Sequence, residues 1–334
     1  MPQPGDRVRP LVMAQGSHVL AGGWCRFSQV EVRNGPGRAV VNASDIDDDT
    51  LTHLIAPRGT VAGMDMARPN IMGILNVTPD SFSDGGRFNS TATGLDQAMA
   101  MVAQGADILD IGGESTRPGA QEVSIDEELD RTIPVIQSIR ARSDVPISID
   151  TRKATVGQAA LDAGATVIND VSAFVFDPGL AQVTANAGAP ACLMHAQGLP
   201  DTMQDNPTYT DVVAEVASAL SERVHFAERQ GVAQGKIIID PGIGFGKTLD
   251  HNLQLMQALS QLHGLGLPIL VGASRKRFIG TLTGVENAGD RVHGSVAVAL
   301  AAIAQGAQIV RVHDVAATKQ AITMWMAIQN GESH

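Results

Sequence analysis

The sequence predicts a (β/α)8 barrel, or TIM barrel, with a small N-terminal extension. Eight short apolar runs rich in β-branched residues recur along the chain, and segments with helical spacing alternate with them. Polar residues end each of the eight runs. An open doubly wound sheet is the alternative architecture. The near-even spacing of eight units favours closure into a barrel.

The eight runs have the length and composition of strands that are buried on both faces, as in a parallel sheet. They lie at 71–77, 106–113, 145–151, 166–172, 190–195, 236–242, 268–274 and 307–314.

Helical periodicity fills the intervals between the runs. The clearest segments are 93–104, 154–164, 211–230 and 292–304. Glycine just beyond the last turn is a common helix stop. Such glycines stand at Gly105, Gly164, Gly188, Gly231 and Gly306.

Residues 1–66 lie outside this alternation, so the barrel is assigned to residues 67–330. Within the extension, 22–33 has the pattern of a strand or hairpin and 44–55 that of a short helix with an acidic start. The acidic run is interpreted as a solvated helix start and not as a metal site. No catalytic pattern is visible in this segment.

Composition excludes several classes of function. The chain has 334 residues, a net charge of −11 and 3% aromatic residues. Nucleic acids and anionic membranes attract basic surfaces, so neither is an expected partner. Cys25 and Cys192 lie far apart, with no disulfide or zinc-ligand spacing. With no signal-peptide core and no apolar span of membrane length, a reducing cytoplasmic location is expected.

The polar residues that end the runs predict where chemistry occurs, because TIM-barrel active sites lie at the C-terminal ends of the strands. A single polar residue there is equally well explained as a helix cap. Eight in succession predict a functional rim. Its members are Asn76, Asp110 with 114–117 just beyond, Asp150, Asn169, Asp170, His195, Asp240, Ser274, Arg275, Lys276, Arg311, His313 and Asp314.

Two kinds of charge collect at this rim. A carboxylate matches two parallel N–H groups of a nitrogen heterocycle, whereas arginine and lysine match a phosphate. We therefore expect deep acids that bind a heterocycle and bases near the mouth that bind a phosphorylated tail. The acids are Asp110, Asp150, Asp170 and Asp240, and the bases are Arg117, Arg275, Lys276, Arg277, Arg311 and His313.

Two alternatives remain open for these charges. The acids also suit a carboxylate metal cage. Lys276 also suits a Schiff base, although Arg275 and Arg277 beside it favour an anion site. Two polar loops, 76–86 and 112–120, are predicted to act as lids. The glycine-rich 242–247 has the spacing of neither phosphate-binding fingerprint.

Eight motifs, in this order, give the chain a specific family resemblance. They are ILNVTPDSFSDGG, DIGGESTRPGA, SIDTRKA, INDVSA, LMHAQG, DPGIGFGKT, GASRKRFIG and RVHDV. Over about residues 70–325 the chain closely resembles the dihydropteroate synthases of folate biosynthesis. The resemblance implies condensation of 6-hydroxymethyl-7,8-dihydropterin diphosphate with 4-aminobenzoate, which yields 7,8-dihydropteroate and pyrophosphate.

The resemblance also implies roles for the rim residues. Asp240 would accept hydrogen bonds from the pterin 2-amino group and N3–H, and Lys276 would reach the ring oxygen and N5. Arg311 would lie over the ring. The implied pterin diphosphate site comprises Asn76, Asp150, Asn169, Met194, Asp240, Lys276, Arg311 and His313.

Within that site, Asn76, Arg311 and His313 would hold the diphosphate, and Asn76 would supply an oxygen to Mg²⁺. The residues implied to act in catalysis are Asn76, Lys276, Arg311 and His313. The implied 4-aminobenzoate pocket comprises Phe82, Thr116, Arg117, Pro118, Phe245 and Lys276.

Small departures and competing functions complete the prediction. Ile243 stands where many relatives have Phe, and Arg277 where some have Ser.

A methyltetrahydrofolate–corrinoid methyltransferase and a non-catalytic pterin binder are the alternative functions. Neither class needs the diphosphate-binding group of residues. The resemblance further implies a homodimer and sulfonamide sensitivity, and apolar residues 324–328 suit a dimer face.

Overall fold

A computed structural model describes residues 7–34, 37–77, 87–115, 122–198 and 203–331. The N-terminal part forms an antiparallel sheet followed by one helix. The strands are β1 (Arg7–Met13), β2 (His18–Val19), β3 (Arg26–Asn34) and β4 (Gly37–Asn42), and the helix is α1 (Asp48–Ile55).

Eight parallel strands follow. They are β5 (Asn70–Asn76), β6 (Ile108–Gly112), β7 (Ile147–Asp150), β8 (Val167–Asp170), β9 (Ala191–Met194), β10 (Ile237–Asp240), β11 (Leu270–Val271) and β12 (Ile309–Val312). Their order is β10-β9-β8-β7-β6-β5-β12-β11, and a parallel bridge between Ile239 and Ile269 joins the two ends. The predicted barrel is confirmed, and each strand lies in a predicted run, except that β5 begins one residue earlier, at Asn70.

Helices surround the strands. They are α2 (Arg87–Ala103), α3 (Ile125–Arg140), α4 (Ala154–Asp162), α5 (Gly179–Ala187), α6 (Val212–Arg229), α7 (Leu249–Gln257), α8 (Arg277–Thr283), α9 (Val292–Ile303) and α10 (Val315–Asn330). Side chains cap several helix starts: Asp211 accepts from the Ala214 amide, and Thr248 forms a capping box with His251. No helix in the described part of the chain is long and apolar enough to cross a membrane.

The barrel interior is filled in layers, as expected for eight strands. Its lower layer is mostly apolar and includes Met72, Ile108, Val167, Cys192, Ile238, Leu270 and Ile309. Val61, Met64 and Met66 pack against this layer. Side chains on a strand alternate in direction, so the residues two positions further on also point inward. These second positions carry the polar groups described below.

The N-terminal sheet has a core of its own and is attached to the barrel by hydrogen bonds. The core includes Phe27 and Leu54. Ser260 Oγ donates to the Pro10 carbonyl at 2.9 Å, and Trp24 Nε1 donates to the Ile303 carbonyl at 2.9 Å. Ser260 and Ile303 precede β11 and β12. The sheet therefore contacts the segments that lead into these two strands, and Arg7 of β1 also pairs with Asp211, the cap of α6.

A buried glutamate organises the charges of this sheet. Glu31 accepts from Arg9 Nη2 at 3.0 Å and from Arg33 Nε at 2.6 Å, and it also pairs with Arg38. Arg7, Arg33 and Arg38 lie opposite one another on β1, β3 and β4. Like charges in directly paired positions destabilise a sheet. Glu31 offsets that repulsion from the neighbouring position.

We expect Glu31→Gln to lower the free energy of unfolding by about 2 kcal/mol. Removing one member of a buried ion pair leaves charge uncompensated, and the partial exposure of the arginines moderates the effect. Urea denaturation measures the change. Arg38→Gln is the matched control, because 61% of the Arg38 side chain is exposed and its loss should cost under about 0.5 kcal/mol. Equal stability of Glu31→Gln and the wild type would contradict this account.

Candidate active site

A polar layer lies directly above the apolar layer of the barrel. Alternation places Asp110, Asp150, Asn169 and Asp240 in this layer, together with Arg311. The four acid and amide residues are at most 6% exposed. Carboxylates this deep require donors or countercharges to remain ionised.

Arg311 supplies both at the centre of the layer. Its Nε donates to Asp110 Oδ2 at 2.6 Å, and its Nη2 donates to Asp150 Oδ2 at 2.8 Å. Asn169 Nδ2 also donates to Asp110 Oδ2, at 3.1 Å. The other oxygen of Asp110 is buried with no hydrogen-bond partner among the described residues. This oxygen is an acceptor that a ligand N–H can satisfy.

Burial opposes ionisation of Asp150. It raises the pKa of this carboxyl to about 7, with the positive charge of Arg311 acting in the opposite direction and the charge of Asp110 adding to the rise. The two carboxylates together raise the pKa of Arg311 against the effect of its own burial. The guanidinium therefore stays charged, and its position is fixed from two sides.

Asp240 lies near the same guanidinium. Its Oδ1 accepts from the Gly242 amide at 2.7 Å. A Cβ placed on Gly272 would lie 3.7 Å from Asp240 Oδ2 and 3.8 Å from Arg311 Cβ. Glycine at position 272 thus leaves room where the two side chains converge. Burial raises the pKa of Asp240, and the charge of Lys276 counteracts this rise.

Lys276 extends across the mouth toward the loop after β10. Its Nζ donates to the Ile243 carbonyl and lies 4.3 Å from the centroid of the Phe245 ring. Burial lowers the pKa of Lys276 to about 7, and the charge of Asp240 opposes this shift. The ammonium is therefore held between an aromatic face and the acids of the polar layer.

Asn76 and His313 lie at the ends of neighbouring strands. A Cβ on Gly112 would lie 3.8 Å from Asn76 Oδ1 and 3.7 Å from Asp150 Oδ2, so Asn76 borders the polar layer. His313 Nδ1 is 3.0 Å from Ser274 Oγ, which also accepts from the His313 amide at 3.2 Å. Ser274 thus orients the imidazole.

Met194 and Phe245 complete the described part of the predicted site. Met194 pairs with Asp240 in the sheet and is buried. Phe245 lies in the loop after β10 and is partly exposed. The remaining predicted pocket residues, Phe82, Thr116, Arg117 and Pro118, lie outside the described residues, as do most of the two predicted lid loops.

The chain on either side of residues 116–121 is held by a buried ionic cluster. Lys153 Nζ donates to Glu114 Oε2 at 2.7 Å, to Glu128 Oε2 at 2.7 Å and to the Val123 carbonyl at 2.6 Å. Arg152 Nη2 donates to Glu114 Oε1 at 2.5 Å. This cluster connects the segments that follow β6 and β7.

Two residues of the predicted charge sets have other roles. Asp170 points away from the barrel axis and accepts from the Ser172 amide and the Phe174 amide, both at 2.7 Å. It therefore shapes its own loop. Arg275 forms a two-point ion pair with Asp314, through Nε at 3.0 Å and Nη2 at 2.5 Å, and is not directed at a ligand.

The expected separation of deep acids from outer bases is also not found, because Arg311 lies among the acids. A buried carboxylate pair without a countercharge would cost several kcal/mol. Sequence reasoning places Asp110 and Ser274 at the rim but gives them no individual role. Two sequence features could have pointed to their roles. Asp110 lies two residues after the inward-facing Ile108 of β6, and Ser274 lies shortly after the end of β11.

A carboxylate metal cage is not supported by the described residues, which contain no cluster of three His, Cys, Asp or Glu able to hold an ion. A metal with few protein ligands remains compatible with the site. Mg²⁺ commonly takes one or two protein oxygens and completes its shell with phosphate and water. Asn76 offers one such oxygen.

Comparisons with known proteins agree with this geometry. The sequence profile of pterin binding enzymes matches residues 72–313. A dihydropteroate synthase of Synechocystis sp. is 52% identical over 253 residues, which are 76% of this chain and 88% of the relative.

Solved structures give the same result. The Xanthomonas albilineans dihydropteroate synthase with 4-aminobenzoic acid is 49% identical, with a TM-score of 0.76 over 80% of this chain and 96% of that one. The Yersinia pestis dihydropteroate synthase in a sulfonamide drug complex is 48% identical, with a TM-score of 0.76 over 80% and 96% of the two chains.

We expect Lys276 to react with an amine-specific reagent such as an acid anhydride with a midpoint near pH 7, because burial lowers its pKa to about 7. An ordinary lysine titrates near pH 10. Peptide mass spectrometry after brief labelling at a series of pH values measures the midpoint. The exposed Lys319 serves as the internal reference for reagent supply. A midpoint for Lys276 near pH 10 would overturn this description of its surroundings.

Proposed function

Because the chain belongs to the dihydropteroate synthase family of pterin-binding enzymes, we propose that the polar layer of its barrel binds the pterin and the strand-end cations hold the diphosphate. The enzyme is a transferase of folate biosynthesis. It condenses 6-hydroxymethyl-7,8-dihydropterin diphosphate with 4-aminobenzoate to form 7,8-dihydropteroate and pyrophosphate.

The single observation that carries the assignment of roles is the convergence of Asp240, Asp150 and Arg311 within one buried layer. The Asp240 carboxylate would accept from the pterin 2-amino group and N3–H, while the Gly242 amide fixes its orientation through Oδ1. Asp150, Asn169 and Met194 would line the rest of the ring. Arg311 is anchored by two carboxylates and would lie against the ring face.

Side chains at the strand ends act on the leaving group. The bond between the exocyclic carbon and the diphosphate oxygen breaks, and its electron pair leaves with pyrophosphate. Arg311, His313 and the Asn76 amide would hold that developing charge, since donors fixed in advance are usually the largest contribution to catalysis. Lys276 would contact the ring oxygen and N5.

Mg²⁺ is the proposed metal, with Asn76 as its ligand from this chain. When bound with the diphosphate, the ion would supply positive charge where pyrophosphate departs. The protein residues have the complementary task of orienting the pterin through Asp240 and of keeping Arg311 charged.

The second half of the reaction needs positioning more than base catalysis. The arylamine nitrogen carries a free lone pair at neutral pH, attacks the exocyclic carbon and then loses one proton. Phe245 and Lys276 would form one wall of the 4-aminobenzoate pocket, with Phe82, Thr116, Arg117 and Pro118 completing it. Correct placement of two reactants supplies a large share of such barriers.

A homodimer is the proposed assembly. Helix α9 carries Ala297 and Ala301 on its exposed side, and α10 exposes Met324 and Ile328. A surface helix normally has a polar outer face, so apolar outer faces on two adjacent helices indicate a covered surface. We also propose a reducing cytoplasmic setting, in keeping with buried free thiols at Cys25 and Cys192.

The deciding experiment is release of pyrophosphate. We expect release with both substrates and Mg²⁺ together and none with either substrate alone, because the product requires both. A sulfonamide should compete with 4-aminobenzoate, since it resembles that substrate. A methyltransferase would release no pyrophosphate, and a Schiff-base enzyme would be trapped at Lys276 by borohydride. Either result would refute the assignment.

Arg311→Ala should lower kcat about 10²–10³-fold, the scale for losing one fixed donor to developing charge. Steady-state kinetics of pyrophosphate release measures the loss. The control is Arg142→Ala, because Arg142 is exposed and lies just before β7, at the end of that strand opposite the site. Turnover of Arg311→Ala at the wild-type rate would remove Arg311 from the reaction.

A further inference from the structure

A buried lysine, Lys247, lies beside the site and has no part in the mechanism above. It is 3% exposed. Its Nζ is 2.9 Å from His195 Nδ1, and it donates to the Phe245 carbonyl at 2.9 Å and to the His195 carbonyl at 3.3 Å. These three acceptors are neutral, so Lys247 is held by hydrogen bonds at a site where a buried cation would ordinarily take a carboxylate.

The surroundings support that description. Burial lowers the pKa of His195 to about 3, so the imidazole is neutral and can accept at Nδ1 while Nε2 carries its proton. Burial also lowers the pKa of Lys247 to about 7, against the attraction of Asp240. Both the amine and the ammonium can donate to the Phe245 carbonyl.

Lys247 joins two loops that pack very closely. His195 follows β9, and Phe245 follows β10. A Cβ on Gly242 would lie 1.9 Å from the His195 carbonyl oxygen, and one on Gly246 would lie 2.4 Å from that of Gln197. Both glycines also have positive φ, 66° and 60°. Only glycine allows the two loops to approach this closely.

Side-chain hydrogen bonds hold the backbone of the loop after β10. Side chains donate to each carbonyl from Ile243 to Lys247: in order, Lys276, Gln204, Lys247, Tyr209 and Asn252. Phe245 is the central residue of this run. Lys247 holds its backbone from the buried side, and its ring faces Lys276 Nζ.

We propose that Lys247 is a positioning residue for 4-aminobenzoate: it fixes the Phe245 backbone and thereby the aromatic wall against which Lys276 lies. This inference rests on the proposed function, because it assumes that Phe245 lines the 4-aminobenzoate pocket. Lys247 acts on the affinity for the second substrate. It does not act on departure of pyrophosphate, which belongs to the strand-end cations.

The test is steady-state kinetics of Lys247→Met with both substrates varied. We expect the KM for 4-aminobenzoate to rise about tenfold, which corresponds to about 1.4 kcal/mol, while kcat and the KM for the diphosphate substrate change less than about twofold. The matched control is Lys236→Met, because Lys236 is exposed and lies just before β10, at the opposite end of that strand. It should leave all three constants unchanged.

A double substitution separates positioning through Phe245 from general damage. In a Phe245→Ala background, Lys247→Met should change the KM for 4-aminobenzoate less than about twofold, because the residue through which it acts is already absent. An undiminished effect there, or a loss confined to kcat or to the diphosphate substrate, would overturn the proposal.

Two further outcomes are also decisive. Lys247→Gln keeps N–H donors and should show a smaller rise in the KM for 4-aminobenzoate. If neither Lys247 variant yields folded protein, Lys247 serves folding and the positioning role is refuted. If the wild type itself releases no pyrophosphate with both substrates, the proposed function fails first, and this result is distinct from any behaviour of the variants.

Discussion

The bridge from Arg311 to Asp110 and Asp150 is the interaction on which the site depends. Three carboxylates occupy one buried layer, and burial raises the pKa of two of them, Asp150 and Asp240. The charge of Arg311 opposes the rise in the pKa of Asp150. Its guanidinium donates to Asp110 and Asp150, and the two side chains in turn hold it in place. A pocket with all acids below and all bases above would leave the buried acids without this countercharge.

The alternation of side chains along the strands explains why fold and site arise from one pattern. On β10, Ile238 points inward and packs the apolar layer, and Asp240 two residues later points into the polar layer. The same step of two separates Ile108 from Asp110 on β6, and Ile309 from Arg311 on β12. The eight runs were therefore sufficient to predict the barrel and the level at which its chemistry lies. Because adjacent side chains on a strand point in opposite directions, Asn169 points inward and Asp170 points outward. Their common position at a strand end does not distinguish the two.

Contacts between distant segments could not be predicted from the sequence. Arg275 looks like part of an anion site from its neighbours Lys276 and Arg277, yet it pairs with Asp314, 39 residues away. Glu31 gives no sign in sequence that three arginines surround it. Each of these pairings depends on which strands become neighbours, and local spacing contains no such information. Family resemblance predicts which residues touch the ligands, and it says nothing about the residues that hold those in place.

Lys276 and Lys247 show why that silence matters. Lys276 and Lys247 both have a pKa lowered to about 7 by burial, and both donate to carbonyls of the same loop, so titration alone would rank them equally as catalytic groups. Geometry separates them. Lys276 reaches that loop from the start of α8, across the mouth of the barrel, and faces the Phe245 ring, where a substrate can meet it. Lys247 lies behind the same residue, and within the described part of the chain its hydrogen bonds go to two backbone carbonyls and a neutral imidazole. A lysine with a lowered pKa is thus evidence of burial and not of catalysis. In the proposed site, Lys276 lies on the side of Phe245 that would face the substrate, and Lys247 lies on the side that supports the Phe245 backbone.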